Sequence, residues 1–262
     1  MTVWLLEREV FADEHERLAT AAEAAGDRVV RWRDEWWSDG RWPELGAGPV
    51  VFHGALENAD RVHRERPWSP GAFCATERFA CSAWWPQVAD LLVAERHAVT
   101  TVAQLVAEGP PEEFGPRVFV RPDSALKPFS GRVLDRDAVN AAALDHGFYY
   151  DDERLPVVVT PVVDVGEEWR FVVAGGEVVA GSGYVADGRE QAGSLGAGHP
   201  AWAYAETVVA RLSAPEPVFV VDVCETPRGL RLLELNPFSG ADLYDCDRGA
   251  VVAAVDRVVE SA

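Results

Sequence analysis

Asp222 is the one charged residue in the run Val218-Phe219-Val220-Val221-Asp222-Val223-Cys224, and Glu234 stands in a second apolar run, Leu232-Leu233-Glu234-Leu235-Asn236-Pro237. A carboxylate inside so apolar a strand needs a partner or a ligand. A turn centred on Arg228, just before Gly229, places the two acids opposite each other in a hairpin. Opposed β-carbons in an antiparallel pair lie about 4.5 to 5.5 Å apart, and two unpaired carboxylates at that distance repel. A divalent cation between them removes the conflict. Asn236, two residues beyond Glu234, falls on the same face and adds an amide oxygen. An incomplete shell of oxygen donors suits magnesium, which takes its remaining ligands from water and substrate phosphates, so the hairpin implies a nucleotide. The alternative is that both acids are half-exposed and paired with arginines; their apolar neighbours weigh against it.

The chain has a single lysine, Lys127, against 23 arginines, and it lies in Arg121-Pro122-Asp123-Ser124-Ala125-Leu126-Lys127-Pro128-Phe129-Ser130-Gly131. Arginine is a flat fork suited to bidentate pairing, whereas lysine is a compact charge that can enter a phosphate cluster. Rarity alone leaves phosphate chemistry and chance retention on a loop evenly matched. The turn-like Pro-Phe-Ser-Gly that follows, Arg121 six residues before and the acid hairpin after favour the phosphates. Arg170 follows Glu168 by two residues and so shares its face of a strand. It reads as a group for an acyl phosphate or substrate carboxylate, or as an ordinary ion-pair partner of a cleft acid.

These residues must be held by a mixed α/β chain. Thr2 to Leu6, the helix Asp13 to Ala25 and the strand Val29 to Trp32 make a β-α-β opening, and Val50-Val51-Phe52 leads into a helical stretch from Glu57 to Arg66. A helix from Thr100 or Thr101 to about Glu108 ends at Gly109-Pro110-Pro111, where we place a domain boundary. The strand Arg117 to Arg121 follows, and Asp135 to Asp145 has the cap and spacing of a helix. Val157 to Val165 is β-branched and extended. Trp169 to Ala174 and Glu177 to Gly181 form a hairpin around Gly175-Gly176, a dipeptide that permits positive φ. The glycine-rich stretch from Asp187 to His199 reads as a mobile loop and a candidate lid. A helix from Pro200 to Leu212, the acid hairpin and a helix from Gly249 to Glu260 complete the chain.

At 262 residues with 48% hydrophobic composition the chain can build a sizeable core. A net charge of −19 repels nucleic-acid backbones, so DNA or RNA binding is not expected. No apolar run approaches the roughly 20 residues that span a bilayer, and the first residues lack the pattern of a signal peptide, so a cytoplasmic location is expected. Cys74, Cys81, Cys224 and Cys246 form no C-x-x-C pair and read as buried thiols, not as a zinc or redox site. Tryptophans crowd the first hundred residues. Most read as packing, although Trp36 and Trp37, beside Asp34, Glu35 and Asp39, would suit a substrate mouth.

Taken in order, Val120-Arg121-Pro122, Lys127-Pro128-Phe129-Ser130-Gly131, Glu168-Trp169-Arg170 and Leu233-Glu234-Leu235-Asn236-Pro237-Phe238-Ser239-Gly240 resemble the ATP-grasp superfamily, in a bacterial and phage branch where arginine replaces the usual strand lysine. The resemblance covers about 117 to 245. It implies an α/β chain with an α+β C-terminal part: a pre-grasp domain over 1–110, a lid subdomain over 111–168 and a metal-binding subdomain over 169–262. It implies ATP and Mg2+ as cofactors. Arg121 and Lys127 would meet the phosphates, the backbone of Val162, Val163 and Asp164 the adenine edge, and Glu168 the ribose. Asp222, Glu234 and Asn236 would be the metal ligands, in agreement with the hairpin. Ser182, Tyr184, Ser239 and Gly240 are candidates for the second substrate. Many members carry a further lysine before the lid, which this chain lacks; Arg96 and His97 lie near that position.

The activity so implied is ATP-dependent joining of a small-molecule or peptide carboxylate to an amine through an acyl phosphate. Lys127 and Arg170 would be the catalytic groups and the 187–199 loop would exclude water. A kinase using the same nucleotide site, and a nucleotide-binding module without turnover, are the rivals.

Overall fold

The computed structural model describes residues 1–144, 152–186 and 189–261. Three sheets organise them. The first is parallel, built from β1 (Val3–Leu6), α1 (Ala12–Ala24), β2 (Arg28–Arg31), α2 (Glu35–Asp39), β3 (Val50–His53), α3 (Leu56–Glu65) and β4 (Pro70–Gly71), in the strand order β2-β1-β3-β4. Strands β1 and β3 are buried along their whole length. That is why they read as unbroken apolar runs: a parallel sheet is covered on both faces.

After the short helix α4 (Cys81–Trp84), the second sheet contains β5 (Ala98–Thr101), β6 (Arg117–Pro122), β7 (Arg132–Asp135) and β8 (Pro156–Pro161), ordered β5-β8-β6-β7 and antiparallel. Helix α5 (Val102–Glu108) is capped by the Thr101 hydroxyl, which accepts from the Gln104 amide. Because β5 pairs with β8, this sheet reaches upstream of residue 111, where the lid subdomain was expected to begin. The third sheet, β9 (Glu168–Ala174), β10 (Glu177–Ala186), β11 (Arg189–Leu195), β12 (Val218–Thr226) and β13 (Gly229–Pro237), is ordered β11-β10-β9-β12-β13 and antiparallel throughout. Helix α6 (Pro200–Arg211) covers one face, with Trp202 and Ala205 meeting Phe171 and Val221 in one core. Helix α7 (Arg248–Glu260) and α1 close the other, where Val251 and Val255 join Val172, Val220, Leu18 and Trp4.

Two expectations are corrected. The helix expected over Asp135 to Asp145 is replaced by β7, whose Arg132 to Asp135 pair with β6, followed by one 3-10 turn at Arg136–Ala138. The spacing of Leu134, Val139 and Leu144 that suggested a helix instead sends all three into the core under this sheet; Asp145 lies outside the described residues. The glycine-rich stretch expected to be a mobile lid contains β11, paired with β10 from Leu195 to Arg189. An edge strand needs no apolar alternation, so its polar, glycine-bearing sequence hides its state. Asp187 and Gly188 lie outside the described residues. The β-branched strand before Glu168 ends at Pro161 rather than Val165, and residues 162–167 form the connector between the second and third sheets.

The N-terminal sheet is tied to α7 through paired acids. The Thr2 backbone N–H donates to Asp27 Oδ1 and the Thr2 hydroxyl to Asp256 Oδ1, each at 2.8 Å. Burial, reinforced by the neighbouring Asp27 carboxyl, pushes Asp256 up to about 6. The folded state therefore holds a proton that the unfolded state has released, and the associated stability is lost as pH rises through about 6. Asp256→Asn keeps the Thr2 acceptor and removes the charge. It is expected to raise the melting temperature at pH 7.5 by a few degrees, about 1 kcal/mol after allowance for partial exposure, with no gain at pH 4. Equal shifts at both pH values in a thermal melt would contradict this.

Candidate active site

The third sheet sets a row of polar side chains across four adjacent strands. Ser182 of β10 pairs with Arg170 of β9, Arg170 with Asp222 of β12, and Asp222 with Glu234 of β13. The opposition of Asp222 and Glu234 arises differently from the expected centred turn. Thr226 pairs with Gly229 around Pro227-Arg228, a register that would set Asp222 against Leu233. A bulge then inserts Leu233 and restores Glu234 as partner. Bulges re-aim side chains beside functional sites, and Leu233 lines the cavity above the row.

Both acids are paired in the structure. Arg170 grips Asp222 as a fork, Nε to Oδ1 at 2.8 Å and Nη2 to Oδ2 at 2.7 Å, and its Nη1 donates to the Asp242 carbonyl at 2.8 Å. Asn236 Nδ2 donates to Asp222 Oδ2 at 2.9 Å. Glu234 accepts from Arg121 Nη1 at 3.1 Å and from Lys127 Nζ, which also donates to Asn236 Oδ1 at 3.2 Å. Burial works to raise Glu234, but Arg121 and then Lys127 outweigh it and hold the carboxyl down at about 2. Burial raises Asp222, with the Arg170 fork opposing it. Burial likewise works against the charge on Arg170, and Asp222 more than compensates. Both arms of the sequence reading thus meet: the acids oppose each other on one face, and arginines pair with them.

Lys127 arrives from the second sheet. It follows β6 in a loop anchored by buried Ala125 and Phe129, and its own φ is +47°, the left-handed region that a non-glycine residue enters at a cost of about 1 to 2 kcal/mol. Gly131 lets the loop return: a β-carbon there would lie 2.5 Å from the Phe119 ring. Phe119, two residues before Arg121, thereby shares the cavity with it. The cavity, about 270 Å³, is lined at one part by Trp85, Val93, Phe119 and Leu233 and at another by Arg121, Lys127, Glu168, Arg170, Asp222 and Glu234. An apolar wall beside converging cations suits a flat aromatic base carrying phosphates.

Other expected residues fall at varied distances from this centre. Glu168 and Tyr184 line the cavity. Val162, Val163 and Asp164 lie in the connector and are not among the lining residues. Ser182 is buried in the row but outside the lining, its hydroxyl donating to the Gly183 carbonyl at 2.7 Å and accepting from the Asp245 amide at 3.1 Å. Ser239 and Gly240 are used to dock the N-terminal sheet. The Ser239 hydroxyl accepts from Phe73 N at 2.9 Å, its carbonyl accepts from Gly54 N at 2.9 Å, and a β-carbon on Gly240 would strike the Leu56 side chain at 2.6 Å. Trp36 is buried in a cluster with Trp32 and Trp42, while Arg61 lies over Trp37, so this region packs. All four cysteines are buried free thiols. Trp85, Phe119 and Leu233 were not picked out from sequence; strand alternation from Arg121 would have found Phe119, whereas Trp85 and the bulged Leu233 carry no spacing signal.

Among the described residues no group of three His, Cys, Asp or Glu side chains is placed to hold a metal. The donor set here is two carboxylates and an amide oxygen, hard oxygens on one face, and its chemistry fits a magnesium ion sharing ligands with phosphates. Among the described residues no helix is long and apolar enough to cross a membrane.

An antiparallel sheet bearing this acid row, facing a smaller sheet that supplies a strand arginine and a loop lysine, defines the ATP-grasp class. The model of one ATP-grasp domain family, the third family of its clade, matches residues 44–255, and the chain belongs to that family. It is an enzyme of the ATP-dependent ligase class. The match begins within the N-terminal sheet, well upstream of the motifs. No curated protein sequence matches the chain. Among solved structures, a RimK domain ATP-grasp protein from Sphaerobacter thermophilus DSM 20745 is 20% identical with a TM-score of 0.65, over 97% of this chain and 99% of that one. D-cycloserine synthetase DcsG is 16% identical with a TM-score of 0.65, over 98% and 100%. The ATP-grasp ligase PsnB, complexed with a minimal precursor, is 15% identical with a TM-score of 0.63, over 98% of each. At these identities the likeness is one of fold.

Proposed function

We propose that this protein is an ATP-dependent carboxylate–amine ligase that forms an amide through an acyl phosphate, with its nucleotide in the cavity between the second and third sheets. The observation that carries the reading is the convergence of Arg121 and Lys127 from one sheet on Glu234 and Asn236 of the other. The pairs seen now are exchangeable: phosphate oxygens replace Glu234 as acceptors for the two cations, which frees the carboxylate. Asp222, Glu234 and Asn236 would hold magnesium, which when bound offsets charge on the transferring phosphoryl group. PsnB, solved with minimal precursor, Mg and ADP, supports that cofactor pair.

In the reaction a substrate carboxylate oxygen attacks the γ-phosphorus and the bond to ADP breaks; an amine then attacks the acyl carbon, loses a proton and expels phosphate. Lys127 and Arg121 orient the phosphates and balance the charge on them. Arg170, whose guanidinium is already committed to Asp222 and the Asp242 carbonyl, fixes the acid row, and its remaining N–H groups are the ones available to an acyl phosphate. Catalysis here is positioning and electrostatics, without a protein nucleophile. Relatives named as acting on a precursor peptide or as a D-cycloserine synthetase leave both peptide and small amino-acid substrates within the class.

The test is product analysis with ATP and magnesium over a panel of carboxylates and of amino acids and peptides as amines. Phosphate release that depends on the amine, with an amide product, is expected. A stable phosphorylated product formed without amine would make the protein a kinase instead.

A further inference from the structure

Tyr184 is the residue that the strand ladders skip. In β10, Gly183 pairs with Trp169 and Val185 with Glu168 on one side, while Gly183 pairs with Gly193 and Val185 with Glu190 on the other, so Tyr184 is the extra residue of a bulge in both ladders. The bulge sets Tyr184 beside Glu168 in the cavity, and its phenol donates to Glu168 Oε2 at 2.6 Å. The ring is fixed independently of that bond. It stacks on Tyr244 with centroids 4.9 Å apart and planes 5° from parallel, and the Arg170 guanidinium lies 5.5 Å from its centroid and 5.1 Å from that of Tyr244. Tyr244 is itself held with φ +46°. A half-buried carboxylate is thus gripped by one oxygen by a phenol whose own position is set by Arg170, the partner of Asp222.

We infer that Tyr184 is a positioning residue for nucleotide recognition: it ties down Oε2 of Glu168 so that Oε1 is presented to the vicinal hydroxyls of a ribose, and it links that end of the cavity to the acid row through Arg170. The inference rests on the proposal that the cavity takes ATP with Glu168 on the sugar. A carboxylate free to rotate accepts from water or from ligand with equal ease; one held by a short charge-assisted bond has a single open acceptor. The same bond keeps Glu168 ionised against burial, which works to raise it, and only the ionised form accepts from two hydroxyls. Tyr184 therefore belongs to the sugar end of the nucleotide and not to the second substrate.

Tyr184→Phe removes the hydroxyl and retains the ring, its stack and its contact with Arg170. Equilibrium titration of the full chain, wild type and variant, with magnesium-ATP and magnesium-2′,3′-dideoxy-ATP tests the assignment. Wild type is expected to prefer ATP, and the variant to lose roughly tenfold in ATP affinity while its dideoxy-ATP affinity holds. In turnover, KM for ATP would rise with kcat little changed. A variant that keeps the wild-type preference, or that loses both nucleotides equally, overturns the role of Tyr184 while leaving Glu168 in place. A wild type that does not distinguish the two nucleotides removes Glu168 from the sugar, and the inference falls with that reading.

Discussion

Asp222→Asn is expected to abolish magnesium-ATP-dependent turnover, and Asp222→Ala to cost about 3 to 5 kcal/mol of stability in addition. The carboxylate is buried and answers both Nε and Nη2 of Arg170 and the amide of Asn236. Removing it leaves a guanidinium, itself 9% exposed, with only the Asp242 carbonyl as its observed acceptor. An unpaired buried charge is far more costly than the loss of the pair as a whole. Arg170→Met combined with Asp222→Leu should therefore recover much of the stability that Asp222→Ala loses, and none of the activity. Denaturant unfolding and phosphate release separate the two effects. Asp222→Asn with wild-type turnover would remove the acid from the site, and a double variant no more stable than Asp222→Ala would remove the charge explanation.

Lys127→Ala is expected to weaken ATP binding by roughly 10- to 100-fold, the value of one or two charge-assisted hydrogen bonds, with folding intact. The side chain is 44% exposed, and Glu234 retains Arg121 when the lysine is gone. No buried charge is orphaned, so the stability cost stays within about 1 kcal/mol. Alanine at φ +47° carries the same backbone strain as lysine does. The loop therefore keeps its shape, and the loss falls on the ligand. The contrast with Asp222 is instructive: two residues of one site, one removable without harm to the fold and the other not, because Glu234 keeps a second cation and Arg170 has no second anion.

Much of this site was legible in the sequence because strand alternation is a strict rule. Glu168 and Arg170, Glu234 and Asn236, and the opposition of Asp222 and Glu234 all follow from period two. The last agreement involved two compensating differences, a tight turn at Pro227-Arg228 and a bulge at Leu233. Bulges carry no signal in the residues that make them, which is also why Tyr184 was assigned to the second substrate and not to Glu168. Edge strands were read poorly for a related reason. Strands β7 and β11 lie at sheet edges with exposed polar residues, so neither shows the apolar pattern that marked β1, β3 or β12. The docking role of Ser239 and Gly240 depends on Phe73, Gly54 and Leu56, more than 160 residues away, and no local pattern encodes such a contact.

That the cavity between the second and third sheets is a magnesium-ATP site, with Lys127 on the phosphates, is tested most directly by equilibrium titration of wild type and Lys127→Ala with magnesium-ATP, beside a thermal melt of each without ligand. Saturable binding by wild type, a roughly 10- to 100-fold weaker constant for the variant and nearly coincident melts are expected. Equal affinity for the two proteins, with the melts still coincident, would contradict the assignment and return the lone lysine to coincidence.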